Sequence, residues 1–189
     1  MGEPTDDRVL VVMTGLPGSG KTTWGRTLAA ELGLPFFDKD DILETLFDRL
    51  EVAGAADRQR LSRASDAVLE TVVATSGSAV VASHWRREEL SVESGTPTAW
   101  LGELADTTVV EVHCGCTWDL AAERFLARER HPGHHDSARS SADLVAQLQS
   151  LAALGPWGLG GLVEVDTSGA VDVTATAAAV RFLSVDRLR

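Results

Sequence analysis

Residues 9–23 read VLVVMTGLPGSGKTT, and this stretch decides the fold. From Gly15 to Thr22 it fills every fixed position of the phosphate-binding loop pattern GxxxxGK followed by Ser or Thr. Glycines let consecutive backbone N–H groups point at phosphate oxygens, and the helix that follows adds the positive end of its dipole. The pattern therefore predicts a nucleoside triphosphate site, in which Lys21 reaches the β- and γ-phosphates and Thr22 holds Mg²⁺. We expect nucleotide contacts from Gly15, Pro17, Gly18, Ser19, Gly20, Lys21, Thr22 and Thr23.

The rest of the chain alternates between short apolar runs and longer helical patterns. Continuous apolar runs are typical of strands covered on both faces, and their alternation with helices favours right-handed crossovers in a parallel α/β sheet. We predict one domain (1–189) with five strands, over 9–13, 35–38, 79–82, 108–113 and 162–165. We predict helices over 21–32, 41–50, 56–75, 87–92, 117–130, 141–153 and 171–183.

The charge balance restricts the partners. Of 189 residues, 17 are Lys or Arg and 28 are Asp or Glu, so the net charge is −11, which argues against broad electrostatic binding to nucleic acid or an anionic membrane. The first residues, MGEPTDDR, lack a secretory signal pattern, and no apolar run approaches the ~18 residues of a membrane span. Cys114 and Cys116 are the only cysteines, which suits reduced thiols. We expect a cytoplasmic monomer or homodimer.

A carboxylate-rich turn follows the second predicted strand, where Asp38, Asp40 and Asp41 surround Lys39. Ligands of open α/β sheets bind at the carboxyl ends of the strands. A kinase that phosphorylates an alcohol needs a carboxylate to orient the hydroxyl and accept its proton. Asp40 is the candidate for this base, with Asp38 as the alternative. Asp40 or Asp41 could also simply cap the following helix, and one turn can serve both purposes.

These motifs resemble those of the small ATP-dependent P-loop metabolite kinases, which include gluconate kinases, adenylylsulfate kinases, chloramphenicol phosphotransferases, zeta-type toxins and the kinase domain of polynucleotide kinases. The resemblance spans most of the chain and implies a three-layer P-loop NTPase fold of the nucleoside-kinase type, with a lid that carries arginines. In these families an Asp-containing element at the end of the second strand faces the acceptor hydroxyl, and the turn from Asp38 to Asp41 resembles it.

The third predicted strand runs into Ser83-His84-Trp85-Arg86-Arg87, which is similar to the Ser and Arg that follow this strand in gluconate and adenylylsulfate kinases. The resemblance implies that this segment lines the acceptor pocket. Ser83 would then bond a substrate hydroxyl, Trp85 would stack on a ring, and Arg86 or Arg87 would hold an anionic group. Alternatively, Trp85 is ordinary packing and the arginines begin a solvated helix. No Asp ends this strand, so a second protein ligand for Mg²⁺ would have to come from Asp38 or Asp40, or be replaced by water.

An arginine-rich helical pattern, TWDLAAERFLARER, covers residues 117–130. Arg124 and Arg128 are four residues apart, hence on one helical face, and the histidine-rich segment from His131 to Asp136 follows. An arginine that closes over the transferred phosphoryl group stabilises its charge and excludes water, so we predict a lid over about 117–140. We expect Arg128 to be catalytic, Arg124 to contact the nucleotide or a phosphate, and His134 to contact the substrate. Pairing of these arginines with nearby glutamates on an exposed helix is the alternative.

The hypothesis from sequence is a kinase that transfers the γ-phosphate of ATP or GTP, with Mg²⁺, to a hydroxyl of a small molecule. A sugar, a sugar acid, a nucleoside-like compound or a hydroxylated antibiotic are all open as acceptors. By the resemblance, Thr167, Ser168 and Gly169 after the fifth strand edge the base pocket. The alternatives are a polynucleotide 5′-hydroxyl kinase, a toxin-like kinase of a nucleotide sugar, and an NTPase switch without an acceptor.

Overall fold

Five parallel strands form the centre of the molecule, in the order β2-β3-β1-β4-β5. The structure, a computed structural model, describes residues 8–90, 95–134 and 140–185. The strands are β1 (Arg8–Gly15), β2 (Phe36–Asp38), β3 (Ala79–Ala82), β4 (Thr107–Gly115) and β5 (Gly161–Asp166). The five predicted strands and the α/β fold class are confirmed.

Helices cover both faces of this sheet, because the buried strands alternate their side chains between two apolar layers. Val11 and Met13 of β1 point into one core, which α1 (Lys21–Leu32) and α6 (Val173–Val185) cover. Leu10 and Val12 point into the other core, which α3 (Ala55–Thr75) covers with Leu69. This is the predicted three-layer arrangement. No helix among the described residues is long and apolar enough to cross a bilayer.

Three further helices stand near the carboxyl ends of the strands: α2 (Lys39–Arg49), α4 (Trp118–Ala127) and α5 (Ser141–Ala152). Helix α2 begins two residues earlier than predicted because Asp38, rather than Asp40 or Asp41, caps it by accepting a hydrogen bond from the backbone N–H of Asp40 at 2.9 Å. Helix α4 ends at Ala127, since the next residue, Arg128, has an extended backbone. The predicted helix over 117–130 is therefore too long.

The predicted helix over 87–92 is wrong over its described part, because residues 87–90 are irregular and residues 91–94 lie outside the described chain. The backbone of this region makes other bonds. Thr96 pairs alongside Trp85 in a short parallel bridge, donating to the carbonyl of His84 and accepting from the N–H of Arg86. The guanidinium of Arg87 is held away from solvent, so the segment cannot present the exposed face of a surface helix.

Candidate active site

The phosphate loop joins β1 to α1 and has the curled backbone that its glycines allow. Gly15, Gly18 and Gly20 have φ values of 128°, 86° and 89°, in the region that favours glycine. A Cβ on Gly18 would lie 2.2 Å from the carbonyl oxygen of Ala121 in α4, so the loop also needs glycine for close packing. The phosphate loop therefore packs directly against the backbone of α4.

Two side chains within the loop are suited to phosphate oxygens. Lys21 Nζ donates to the carbonyl oxygens of Gly15 and Leu16 at 2.9 and 2.8 Å, and burial lowers the pKa of Lys21 to about 8. Ser19 Oγ is buried without a hydrogen-bond partner among the described residues. Because a buried polar group without a partner is costly, an anion at this loop would satisfy both side chains.

A hydroxyl and a carboxylate meet beside the loop. Thr22 Oγ1 donates to Asp38 Oδ2 at 2.7 Å, so the start of α1 and the end of β2 are in contact. Burial raises the pKa of Asp38, against the hydrogen bond from Thr22. Hydroxyl and carboxylate oxygens are the hard ligands that Mg²⁺ prefers, and a cation here would stabilise the ionised form of Asp38. Thr22 and Asp38 therefore fit a Mg²⁺ site.

Asp40 lies in the first turn of α2 and faces the segment after α4. Arg130 donates to Asp40 Oδ2 at 2.8 Å, and Arg130 also lies 3.4 Å from His134 Nε2. Although burial raises it, the pKa of Asp40 lies below its usual value because the charges of Arg130 and Arg128, the proximity of His134 and the hydrogen bond from Arg130 favour the carboxylate. Asp40 is therefore ionised at neutral pH, as an acceptor of a proton must be.

One cavity of about 680 Å³ connects these groups. Of the predicted site residues, its wall includes Pro17, Gly18, Gly20, Lys21, Thr22, Thr23, Asp38, Asp40, Ser83, Arg124, Arg128 and His134. Gly15 and Ser19 are buried within the loop itself. The cavity thus brings together the phosphate loop, the carboxylate turn (residues 38–41), the end of β3 and the arginine segment (residues 124–130).

Trp85, Arg86 and Arg87 are placed elsewhere, contrary to the prediction that they line the acceptor pocket. Trp85 is 1% exposed and its indole Nε1 donates to the carbonyl of Met13 at 2.8 Å, so it is a core residue. Arg87 donates to the carbonyls of Gly155 and Pro156. Its guanidinium also lies 3.6 Å from the ring centroid of Trp157.

Arg86 donates to the carbonyl of Gly95. In this segment the side chains that reach the cavity are those of Ser83 and His84, directly after β3. An apolar ring and two arginines beside a polar motif cannot be assigned to wall or core from sequence alone.

The first two turns of α3 supply the cavity wall that sequence reasoning missed. Ala55, Arg58, Gln59 and Ser62 line the cavity, and their spacing of three, four and seven residues places them on one helical face. Three of these four residues are polar, whereas the periodicity that predicts the buried face of a helix is that of apolar residues. Arg58 Nε is buried and has no hydrogen-bond partner among the described residues.

The arginine segment contacts both the turn after β5 and the carboxylate turn. Arg124 donates to the carbonyls of Thr167 and Ser168 at 3.0 and 3.4 Å, which ties α4 to the turn after β5. Arg128 packs over the ring of Phe125, 4.7 Å from its centroid, and lies beyond the helix rather than on a shared face with Arg124.

A short 3₁₀ turn (Pro132–His134) rests on α2. His134 lies 2.9 Å from Glu44, and His131 lies 3.1 Å from Asp48. Burial and the charge of Arg130 lower the pKa of His134, so it is neutral at pH 7. Residues 135–139, including His135 and Asp136 of the predicted lid, lie outside the described chain.

Sequence comparison relates the chain to kinases. A shikimate kinase from Ruegeria pomeroyi is 39% identical over 111 residues, which cover 53% of this chain and 53% of that protein. The chain thus spans about half the length of the shikimate kinases that it matches.

Two solved structures share the fold over nearly their whole length. A protein from Chloroflexus aurantiacus j-10-fl, provisionally assigned as a kinase, is 28% identical with a TM-score of 0.75, covering 94% of this chain and 99% of that one. A gluconokinase from Sinorhizobium meliloti 1021 is 19% identical with a TM-score of 0.57, covering 96% and 97%.

A family model described as an AAA domain matches residues 10–154, from the middle of β1 to just beyond α5. This span includes the phosphate loop, the carboxylate turn and the arginine segment, and it is well over half of the chain. The chain therefore belongs to the AAA domain family of P-loop proteins.

Proposed function

We propose that the protein is a phosphotransferase that moves the γ-phosphate of ATP or GTP to a hydroxyl of a small molecule. One observation carries this proposal: the phosphate loop and the Asp38–Asp40 turn share a single cavity of about 680 Å³. That volume is large enough for a nucleotide and a small second ligand at once. The matches to shikimate kinases and the shared fold of a gluconokinase support the same reaction class.

Different residues along this cavity bind the phosphates, activate the acceptor and stabilise the transferred group. Lys21 and the loop N–H groups hold the terminal phosphates, and Arg124, bonded to the turn after β5, flanks the nucleotide. Asp40 orients the acceptor hydroxyl and takes its proton as its oxygen bonds to the γ-phosphorus. The bond from the γ-phosphorus to the β-phosphate oxygen breaks, and the nucleoside diphosphate leaves. Arg128 stabilises the charge on the transferred group. His134 would contact the acceptor from beside Asp40 and Arg130.

Mg²⁺ would be held by Thr22 and Asp38, either directly or through water. When bound, it would neutralise charge on the phosphates. Because the third strand ends without an Asp, Asp38 is the carboxylate that would serve here. This role for Asp38 leaves Asp40 as the base, since Asp40 lines the same cavity and is ionised at neutral pH.

The polar face of α3 suits an acceptor that carries both hydroxyls and an anionic group. Arg58 has a buried N–H that finds no partner in the described part of the chain, and an arginine binds a carboxylate through paired hydrogen bonds. Shikimate and gluconate, the substrates in the names of the matched kinases, are both hydroxy acids, which makes them the first acceptors to test.

The test is nucleotide consumption with Mg²⁺ across shikimate, D-gluconate, sugars, nucleosides and hydroxylated antibiotics, with mass spectrometry to detect the added phosphate. We expect one of these to be phosphorylated, and Asp40→Asn to lower kcat by at least a hundredfold while the Kd for ATP stays within about threefold. Asp41→Asn is the matched control, because Asp41 is exposed and pairs with Arg26 outside the cavity. Hydrolysis of nucleotide that no alcohol accelerates would contradict the proposal.

A further inference from the structure

A chain of hydrogen bonds runs from Lys39 to Ser83 along the cavity wall. Lys39 Nζ lies 2.8 Å from Asp66 Oδ1 in α3, and both side chains are largely buried. Thr96 Oγ1, fully buried, donates to the same Asp66 oxygen at 2.7 Å. Ser83 Oγ lies 2.5 Å from Thr96 Oγ1. None of these contacts involves the phosphate loop. Ser83, at one end of the chain of hydrogen bonds, is a predicted substrate contact.

The direction of each bond follows from the chemistry of its partners. An ammonium group only donates and an ionised carboxylate only accepts, so Lys39 fixes Asp66 as an acceptor. A threonine hydroxyl has one hydrogen, and Thr96 gives it to Asp66. The bond between Thr96 and Ser83 must therefore use the hydrogen of Ser83. The hydroxyl of Ser83 then has only lone pairs left to offer to the cavity that it lines.

Ser83 lies where the orientation of its hydroxyl would affect a molecule bound near Asp40. Asp38 is level with Ala82 in the sheet, so Ser83 lies one residue further along, beside the turn that carries Asp38 and Asp40. Lys39 comes from that same turn, and its ammonium also donates to Ser62 Oγ at 3.0 Å on the polar face of α3. A group on the acceptor near Asp40 would thus meet a serine oxygen whose hydrogen points away.

We propose that Lys39, Asp66 and Thr96 are positioning residues that hold Ser83 as a pure hydrogen-bond acceptor, so that the site selects a molecule with a hydroxyl or N–H donor at this point. A carboxylate, phosphate or ketone oxygen there would face the lone pairs of Ser83 and be rejected. The proposal rests on the proposed function for the identity of the bound molecule, but the orientation of Ser83 can be measured without turnover.

Neutron diffraction from a hydrogen–deuterium exchanged crystal of the full chain measures that orientation. We expect deuterium on Thr96 Oγ1 directed at Asp66 and deuterium on Ser83 Oγ directed at Thr96. Deuterium on Ser83 directed into the cavity would overturn the proposal. This result stands whether or not any alcohol is phosphorylated, whereas a panel without product counts against the proposed function.

The kinetic test uses Thr96→Val, which removes the acceptor for the Ser83 hydrogen with little change of shape, and Thr96→Ser as the matched control. The substrates are shikimate or D-gluconate, whichever is phosphorylated, and their singly deoxygenated and deoxyfluoro analogues. In the wild type, we expect fluorine in place of one of the substrate hydroxyls to lower kcat/KM at least tenfold. In Thr96→Val, the same fluorine substitution should lower kcat/KM less than about threefold, because Ser83 is free to turn its hydrogen towards the fluorine. Thr96→Ser should keep the wild-type ratio, and the KM for ATP should not change. An equal ratio in all three proteins would contradict the inference.

Discussion

The two lysines of this chain, Lys21 and Lys39, both lie in the candidate site but in different environments. Lys39 is balanced by the carboxylate of Asp66. Lys21 is held by two carbonyl oxygens, and burial lowers its pKa to about 8. A cation in such a place is stabilised only when an anion arrives, which is what a phosphate-binding residue requires.

The pH dependence of nucleotide affinity should follow from Lys21. Bound phosphate favours the charged amine, so the pKa of Lys21 rises on binding, and the Kd for ATP should increase above pH 8 by up to about tenfold per pH unit. Titration calorimetry with Mg-ATP between pH 7 and 10 measures this. Lys21→Ala should abolish turnover and bind ATP more weakly, with a flat profile over the same range. A Kd of Lys21→Ala for ATP that still increased above pH 8 would contradict this assignment.

At single residues, sequence predicted those that a motif fixes and failed where burial decides. The spacing of Gly15 to Thr22 allows little other than a phosphate loop, and the structure places these residues between the end of β1 and the first turn of α1. Trp85 and Arg87 look like surface residues in a polar segment, yet Met13 and the loop before β5 bury them. Which of two polar residues faces a cavity depends on contacts distant in sequence, so no local pattern reveals it.

Among the elements, the strands were easier to predict than the helix ends. β1 and β3 contain continuous apolar runs because both of their faces are covered. Helix α4 ends at Ala127 although its helical pattern continues, since Phe125 binds Arg128 and Arg130 with its ring while Arg130 reaches Asp40. These tertiary contacts outweigh the helix propensity of the sequence after residue 127.

The contact between the 3₁₀ turn and α2 should depend on Gly133. A Cβ at this position would lie 2.5 Å from the ring of Phe47, which also packs against His131 and His134. We expect Gly133→Ala to push the turn away from α2, at a cost of about 1–3 kcal/mol in the free energy of unfolding, and to raise the KM of the acceptor. Urea denaturation and steady-state kinetics measure these two effects.

Gly102→Ala is the control, because a Cβ there meets no atom within 4 Å. The packing argument would fail if both alanine variants lost the same stability and the same affinity for the acceptor.

For the molecule as a whole, Glu111 of β4 joins parts of the chain that are far apart in sequence. Its fully buried carboxylate accepts from Thr14 Oγ1 at 2.7 Å and from the N–H groups of Trp157 and Leu159 at 2.8 and 3.1 Å. The sheet centre and the loop before β5 therefore share one acceptor. Buried carboxylates are stable only with such partners.

Glu111→Gln should destabilise the protein by about 1–3 kcal/mol, because the amide nitrogen cannot accept and a buried donor loses its partner. The free energy of unfolding from urea denaturation measures this loss. Glu164→Gln, on the exposed side of β5, should stay within about 0.5 kcal/mol of the wild type. Equal stability of the two variants would show that the Glu111 network contributes nothing.

The close approach of Gly18 to Ala121 has a mechanical consequence. Since the carbonyl of Ala121 sits where a side chain on Gly18 would be, we expect the phosphate loop and the first half of α4 to move together. Arg124 travels with that body, while the chain beyond Ala127 leaves it with an extended backbone. We therefore expect any opening of the cavity to hinge near residues 127–128. A pair of spin labels on either side of this point should then change its distance, whereas a pair within α4 should keep a fixed distance.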